Sequence, residues 1–249
     1  MRDVVESILD WLPLIVVGAY VVIFVRPKHI VEFLIGRALK KGKAERAMAI
    51  AIRYARLRPG DPQSWLTWVW LVENQEVRWG SEGILREGFE RNPKSFELGL
   101  RLAKEMSRKD KAGEAYELLE RLGEHHPEAP GPVIEMARLA GMANNETEAK
   151  RRIAEARDLI DPKKHASEAV DIAYLCLLLG DRGTAEEVLQ RVEERAYEPA
   201  AHLFLAVLTE ETNPVGARRH LAAARYYWHG PRSDAAEFLE EARELIRSR

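Results

Sequence analysis

A spacing of 34 residues constrains this chain more than any other feature of its sequence. Two sets of residues recur at that spacing, the prolines Pro59, Pro93 and Pro127 and the apolar residues Leu85, Leu119 and Ile153. A period of this length is typical of arrays in which one helical hairpin stacks on the next. Such arrays bind partners through shape and surface, so the period predicts a scaffold and not a catalyst.

The repeat can be laid out in consecutive frames that begin at Lys28. Frames 28–61, 62–95 and 96–129 follow without insertions, and frames 130–164, 166–199 and a shortened sixth drift at their turns. Within a frame, small residues such as Ala47 recur where two helices approach closely, and large residues such as Val31 and Leu34 fill the space between them. In this reading Cys176, Met106, Met136 and most tryptophans lie in the core.

The frame pattern strongly resembles the tetratricopeptide repeat (TPR), because it has Trp65 near the start of a frame, small residues at the helix contacts and a proline at the frame's end. The resemblance covers nearly the whole chain. It implies an all-α fold, with a TPR-type α-solenoid of about six helical hairpins over residues 28–232. A C-terminal capping helix is expected over residues 233–249, with Ser233 as its N-cap and a polar outer face that closes the stack.

Residues 8–25 are apolar apart from Asp10, and no charge occurs from Trp11 to Val25. As a helix they span roughly 27 Å, close to the ~30 Å hydrocarbon core of a bilayer, and their apolar side chains favour insertion by roughly 3 to 6 kcal/mol. The alternatives are a buried core helix, which would normally be shorter or keep a polar stripe, and a cleaved signal peptide, which would begin with basic residues. We predict that residues 1–27 form an uncleaved N-terminal transmembrane anchor.

Basic residues follow the apolar segment, whereas only Arg2 precedes it. This membrane-surface basic cluster consists of Arg26, Lys28, Arg37, Lys40, Lys41 and Lys43. The positive-inside rule then predicts a single-pass inner- or plasma-membrane protein with its N-terminus outside and its repeats in the cytoplasm. The cluster either rests on anionic headgroups or acts only as a topology signal. A location of the repeats outside the cytoplasm is the remaining alternative.

Composition and motifs give little sign of chemistry. The 249 residues contain 38 Lys and Arg against 40 Asp and Glu, and this net charge of -2 argues against a general nucleic-acid binder. The only cysteine, Cys176, excludes an internal disulfide, and the histidines show no metal-ligand spacing. No phosphate-binding, dinucleotide, zinc-protease or serine-hydrolase motif occurs. We therefore expect no enzyme activity, cofactor, metal or small-molecule substrate.

The TPR resemblance implies that the first helix of each hairpin lines a ligand groove. The residues carried onto that groove are Gln63, Trp70, Asn74, Arg101, Lys104, Arg108, Arg138 and Tyr174. Its middle is basic and aromatics lie at both ends, which suits a partner segment with carboxylates and a hydrophobic side chain. The alternative is that these charges are ordinary solvated helix faces.

The overall plan resembles bacterial inner-membrane TPR scaffold proteins. The first hypothesis is a membrane-tethered adaptor that binds a protein partner, itself membrane-associated, and assists assembly or organisation of a membrane complex. The alternative is a constitutive structural subunit held in a larger complex by its transmembrane helix, for which Gly18 and Ala19 offer a weak close-approach point.

Overall fold

The computed structural model describes residues 27–74, 80–109, 111–193, 198–227 and 232–247. Within these ranges all regular structure is helical. The thirteen helices are α1 (Pro27–Lys40), α2 (Ala44–Leu57), α3 (Pro62–Asn74), α4 (Ser81–Arg91), α5 (Phe96–Ser107), α6 (Ala112–His125), α7 (Pro130–Met142), α8 (Glu146–Leu159), α9 (Ala166–Leu178), α10 (Arg182–Glu193), α11 (Pro199–Thr209), α12 (Pro214–Tyr227) and α13 (Arg232–Arg247). The prediction of an all-α chain is confirmed.

Residues 1–26 of the predicted membrane anchor (residues 1–27), which include its apolar segment 8–25, lie outside the described residues, and Pro27 begins α1. Within the described ranges, no helix combines the length and the apolar character that crossing a bilayer requires.

The helices follow one another as six consecutive pairs, α1 with α2 through α11 with α12, and then a single helix, α13. The connection inside the first pair is only three residues long, between Lys40 and Ala44. A link this short forces the second helix back along the first, so α1 and α2 form a helical hairpin. Links of three residues also join α7 to α8 and α9 to α10, which are hairpins for the same reason. The chain divides into two compact units, of which the first ends at Glu105 and the second begins at Met106, within α5.

The turns inside three hairpins share one hydrogen-bonded form. Gly42, Asn144 and Gly180 each have a positive φ, of 67°, 55° and 76°. In each turn the next residue's N–H donates back to a carbonyl in the last turn of the first helix, as Asp181 does to Cys176 at 2.9 Å. This Schellman-type ending satisfies carbonyls that the helix leaves open, and glycine adopts it without strain.

Prolines lie at the starts of several first helices and just beyond the ends of several second helices. Pro62 and Pro130 begin α3 and α7, where the missing N–H is not needed and the fixed φ favours the helix. The frame-ending prolines Pro59, Pro93 and Pro127 lie two residues beyond the last residues of α2, α4 and α6. The period of 34 residues therefore marks the exit from each second helix, as predicted.

Each second helix has a small, buried residue near its start. These residues are at most 7% exposed, and they are Ala47, Ser81, Ala115, Ala149, Ala185 and Ala217. Their short side chains let the second helix pack closely on the first. Cys176, Met106 and Met136 are also buried, as predicted.

Leu34 departs from the prediction. The repeat pattern places it inside the array, but its side chain is 42% exposed. A residue at that frame position is covered by a neighbouring hairpin, and α1 is the first described helix, so no described element precedes it to provide the cover.

In the second unit, α13 packs on α11 and also contacts α9. It begins at Arg232, so Ser233 lies inside the helix and not before it. Its apolar face is buried through Ala242 and Ile246. The predicted C-terminal helix is thus present, although it lies mainly against a first helix of the array.

Candidate functional site

The first helices of the first unit form one surface, which we call the first-helix face. Two polar bridges join its helices. Lys28 Nζ on α1 donates to Gln63 Oε1 on α3 at 3.4 Å, and Arg101 Nη1 on α5 lies 3.7 Å from Glu73 Oε2 on α3. These bridges place α3 beside both α1 and α5, and they show that residues from three hairpins share this face.

Two aromatic side chains stand out from this face. Trp70 on α3, a predicted groove residue, is 47% exposed, and Phe33 on α1 is 64% exposed. Phe33 was not among the predicted groove residues, although it has a ligand-facing position in its frame, because the prediction began with the second hairpin. Large exposed apolar side chains on an otherwise polar surface are typical of protein-binding sites.

Arg101 does not provide an isolated positive charge. Its Nε donates to Glu97 Oε1 at 2.7 Å while Nη1 faces Glu73, and all three side chains are between 39% and 48% exposed. The guanidinium therefore lies between two carboxylates. The predicted basic middle of the groove is, at Arg101, an exposed ion-pair network in which each pair contributes about 0 to 1 kcal/mol.

The other predicted residues of this unit are near the same helices. Asn74 is exposed at the end of α3, and its Nδ2 donates to the Trp70 carbonyl at 2.8 Å, which closes the last turn. Lys104 on α5 is half-buried and interacts with a neighbouring group. The structure therefore places Gln63, Trp70, Asn74, Arg101 and Lys104 within the first unit.

Arg108, Arg138 and Tyr174 belong to the second unit. Arg108 is exposed just after α5 and also has a partner. Arg138 Nη2 lies 3.3 Å from Glu135 Oε1 on the same helix, and the Glu135 side chain is only 4% exposed. Removing Arg138 would weaken the pairing of a buried carboxylate, so this arginine has a structural task that Arg101 does not have.

Arg138 also borders a cavity of about 450 Å³ between α7, α8 and α9. Leu175 and Leu178 provide apolar wall, and Met142, which is 64% exposed, lies at the same cavity. The arginine Nε is buried and has no hydrogen-bond partner among the described residues.

Tyr174 on α9 is 44% exposed, but it is not an isolated groove residue. Its ring lies 6.4 Å from that of Phe204 on α11, and Phe204 in turn meets Phe238 of α13 edge-on at 5.1 Å. The C-terminal helix therefore covers part of the face to which Tyr174 belongs, a contact that the repeat pattern did not predict.

The membrane-surface basic cluster is only partly described, because Arg26 lies outside the described residues. Lys28 turns toward Gln63 and Glu32. The side chains of Arg37, Lys40, Lys41 and Lys43 form no ion pair within the described part of the chain.

The buried Cys176 thiol has low reactivity. Burial, with a smaller effect of the Asp181 charge, raises the pKa of the Cys176 thiol to about 12, so the thiol stays protonated at neutral pH. Within the described ranges, no three His, Cys, Asp or Glu side chains are grouped to hold a metal ion.

Comparison with known proteins identifies the fold. No protein family matches the sequence, and no curated protein is similar to it. Among solved structures, TTC0263, a thermophilic TPR protein of Thermus thermophilus, is 14% identical with a TM-score of 0.52, over 78% of this chain and 97% of that chain. The type IV pilus biogenesis factor PilW is also 14% identical, with a TM-score of 0.51 over 81% of this chain and 90% of its own.

A chain of the APC/C hetero-tetramer Cut9-Hcn1 is 14% identical with a TM-score of 0.55, and the match covers 82% of this chain but only 41% of that one. Identities this low show the fold alone. Together with the all-helical order of the described residues, they show that this chain has the TPR fold.

Proposed function

We propose that this chain is a membrane-tethered TPR scaffold that binds a protein partner at the first-helix face of its first unit. The observation that carries the proposal is the exposed indole of Trp70 on the same helix as Glu73, which belongs to the Arg101 ion-pair network. A large aromatic side chain provides contact area at low entropic cost, and arginine binds carboxylates in two-point geometry. The proposed partner segment therefore carries a hydrophobic side chain and at least one carboxylate.

The Arg101 network suits an exchange of partners. Its two glutamates are 44% and 48% exposed, so each intramolecular pair is worth about 0 to 1 kcal/mol. A carboxylate of a bound protein can replace one of them at small cost, and it gains strength when binding excludes water. Phe33 on the adjacent α1 extends the apolar part of the same face.

The test uses a photo-reactive amino acid at position 70 of the full-length chain in its native membrane. We expect a discrete cross-linked product that is absent when the same group replaces Leu57, which is 71% exposed on the second helix α2. Arg101→Glu should weaken the position-70 product at least tenfold, because it places a third carboxylate beside Glu73 and Glu97. Arg53→Glu on α2 is the matched charge reversal and should leave the product unchanged. Equal products at positions 57 and 70 would refute the site.

Tethering is part of the same proposal. Residues 8–25 support a single transmembrane helix with the N-terminus outside and the TPR domain in the cytoplasm. Contact with anionic lipid beside it is supported by four basic residues that form no ion pair among the described side chains, Arg37, Lys40, Lys41 and Lys43. Deleting residues 1–27 should release the chain from membranes washed in alkaline carbonate. Protease added outside intact cells should leave the TPR domain uncut, and cleavage would place the domain on the opposite side.

The role we propose is assembly or organisation of a membrane-associated complex. PilW, which has a similar fold, is a pilus biogenesis factor, and this analogy rests on fold alone. The second candidate is a constitutive subunit of a larger membrane complex, favoured by Gly18 and Ala19 as a close-approach point in the apolar segment. Extraction in mild detergent separates the two, because a subunit should remain in a stoichiometric complex and an adaptor should not.

A further inference from the structure

The C-terminal helix α13 occupies a first-helix surface of the second unit. Phe238 meets Phe204 of α11 edge-on at 5.1 Å, and Arg243 Nη2 lies 3.0 Å from Glu210 Oε1 just after α11. Near the C-terminal end of α13, the Ile246 carbonyl accepts a hydrogen bond from Arg182, which lies at the start of α10. An apolar row and one basic residue therefore hold α13, which is how an amphipathic helix binds in a groove.

The position of α13 differs from that of a helix that continues the stack. Within the same unit, α9 packs against both helices of the hairpin before it, α7 and α8. By contrast, α13 packs on α11 and reaches α9. On the side of α12 it borders a cavity of about 260 Å³, lined by apolar residues that include Ala217, Leu221 and Leu239.

The polar contact of α13 with α11 also leaves one hydrogen-bond donor unsatisfied among the described residues. Arg243 pairs with Glu210 and Glu240 through its terminal nitrogens. Its Nε, however, is buried and has no hydrogen-bond partner among the described residues. A cavity and an unsatisfied donor both weaken the seating of a helix relative to a fully packed one.

We propose that the surface formed by α9 and α11 is a binding site for an amphipathic helix, that α13 occupies it within the chain, and that a partner helix of the same chemistry replaces α13. The partner helix carries an aromatic residue, apolar residues four and eight positions later, and an arginine five positions later that pairs with Glu210. This surface belongs to the second unit, so the inference goes beyond the proposed function and can fail independently of it.

The cavity adds a prediction about the partner. Leu239 leaves about 260 Å³ unfilled toward α12. A larger apolar side chain at the corresponding position of a partner helix would fill part of that space and gain contacts that α13 lacks. The preferred partner helix is therefore bulkier at this position than α13 itself.

The test uses the full-length chain in nanodiscs and a fluorescent peptide with the sequence of residues 232–247. In the wild type, tethered α13 competes at a high effective concentration and keeps the peptide out. In the double variant Phe238→Ala with Ile246→Ala, that competitor is weakened, so the peptide should bind at least about tenfold more tightly. Glu237→Ala, at an exposed position of α13, is the control and should behave as the wild type.

Two further measurements decide the result. A peptide that itself carries Phe238→Ala should not bind the double variant, and one that carries Leu239→Phe should bind more tightly than the unmodified peptide. Hydrogen exchange should show that α11 remains protected in the double variant. Loss of that protection would make α13 an integral part of the fold and overturn the proposal, as would peptide binding no tighter to the double variant than to the wild type.

Discussion

The contact between Gly88 and Trp65 gives the sharpest test of how the repeats pack. Gly88 lies on α4, and a Cβ at this position would stand 2.9 Å from Trp65 Cγ and 3.0 Å from Trp65 Cβ. Carbon atoms pack at about 3.5 to 4.0 Å, so Gly88→Ala requires movement of one helix or of the indole. Trp65 is 2% exposed, and its Nε1 donates to the Pro59 carbonyl at 2.9 Å. Both the surrounding core and this hydrogen bond therefore restrict movement of the indole ring.

The magnitude follows from two opposing effects. Alanine favours a helix over glycine by about 0.8 to 1 kcal/mol. Overpacking a well-filled core costs about 1 to 3 kcal/mol, and loss of the indole hydrogen bond would add about 1 kcal/mol. We therefore expect Gly88→Ala to destabilise the contact between α3 and α4 by about 1 to 2 kcal/mol.

Hydrogen exchange followed by mass spectrometry measures this effect within the hairpin, because it reports local opening. Amides of α3 and α4 should exchange about tenfold faster in Gly88→Ala, since a factor of ten corresponds to about 1.4 kcal/mol. The control is Gly83→Ala on the same helix, where a Cβ meets nothing within 4 Å. It should slow exchange or leave it unchanged. The reasoning is wrong if Gly88→Ala also slows exchange.

Three further outcomes follow from the structure. Gly180→Ala should lower the free energy of unfolding by about 1 to 2 kcal/mol because its φ is positive, while Asn144→Gly should raise it slightly; urea denaturation measures both. Cys176 should react with a maleimide roughly a hundredfold more slowly in the native than in the unfolded chain, since burial keeps it protonated. Burial and the Asp61 carboxylate raise the pKa of Tyr54 to about 12, so its stabilising effect is complete below about pH 10 and lost as pH rises toward 12. The stability difference between wild type and Tyr54→Phe should shrink over that interval.

The fold was predictable because its determinants recur at fixed positions. A small residue such as Ala115, a turn glycine such as Gly180 and an exit proline such as Pro127 each act within one hairpin, and each is visible in a single frame of the sequence. Repetition then strengthens the prediction, since every frame tests it again. At Leu34, which no described element covers, the same rule gives the wrong burial.

The candidate site was only partly predictable because its geometry depends on contacts between frames. The repeat pattern identifies Trp70 and Arg101 as surface residues, but it does not show that Glu73 lies within 3.7 Å of Arg101. The repeat pattern likewise does not predict that α13 packs on α11, because the final helix follows no frame. Side chains that meet across helices are determined by packing angles and rotamers, and neither can be read from spacing alone.

Pairing of the arginines affects what each of the two units would recognise under the proposed function. A surface with an excess of positive charge attracts any acidic segment over a Debye length, and its specificity is low. Here Arg101 has two glutamate neighbours and Arg138 pairs with Glu135, so neither arginine provides an excess of positive charge. At the proposed site, a partner would therefore have to offer a carboxylate with the position and direction of the one that it replaces at Arg101, and would have to cover Trp70 at the same time. Shape and apolar contact, more than long-range attraction, would then decide which protein this scaffold binds.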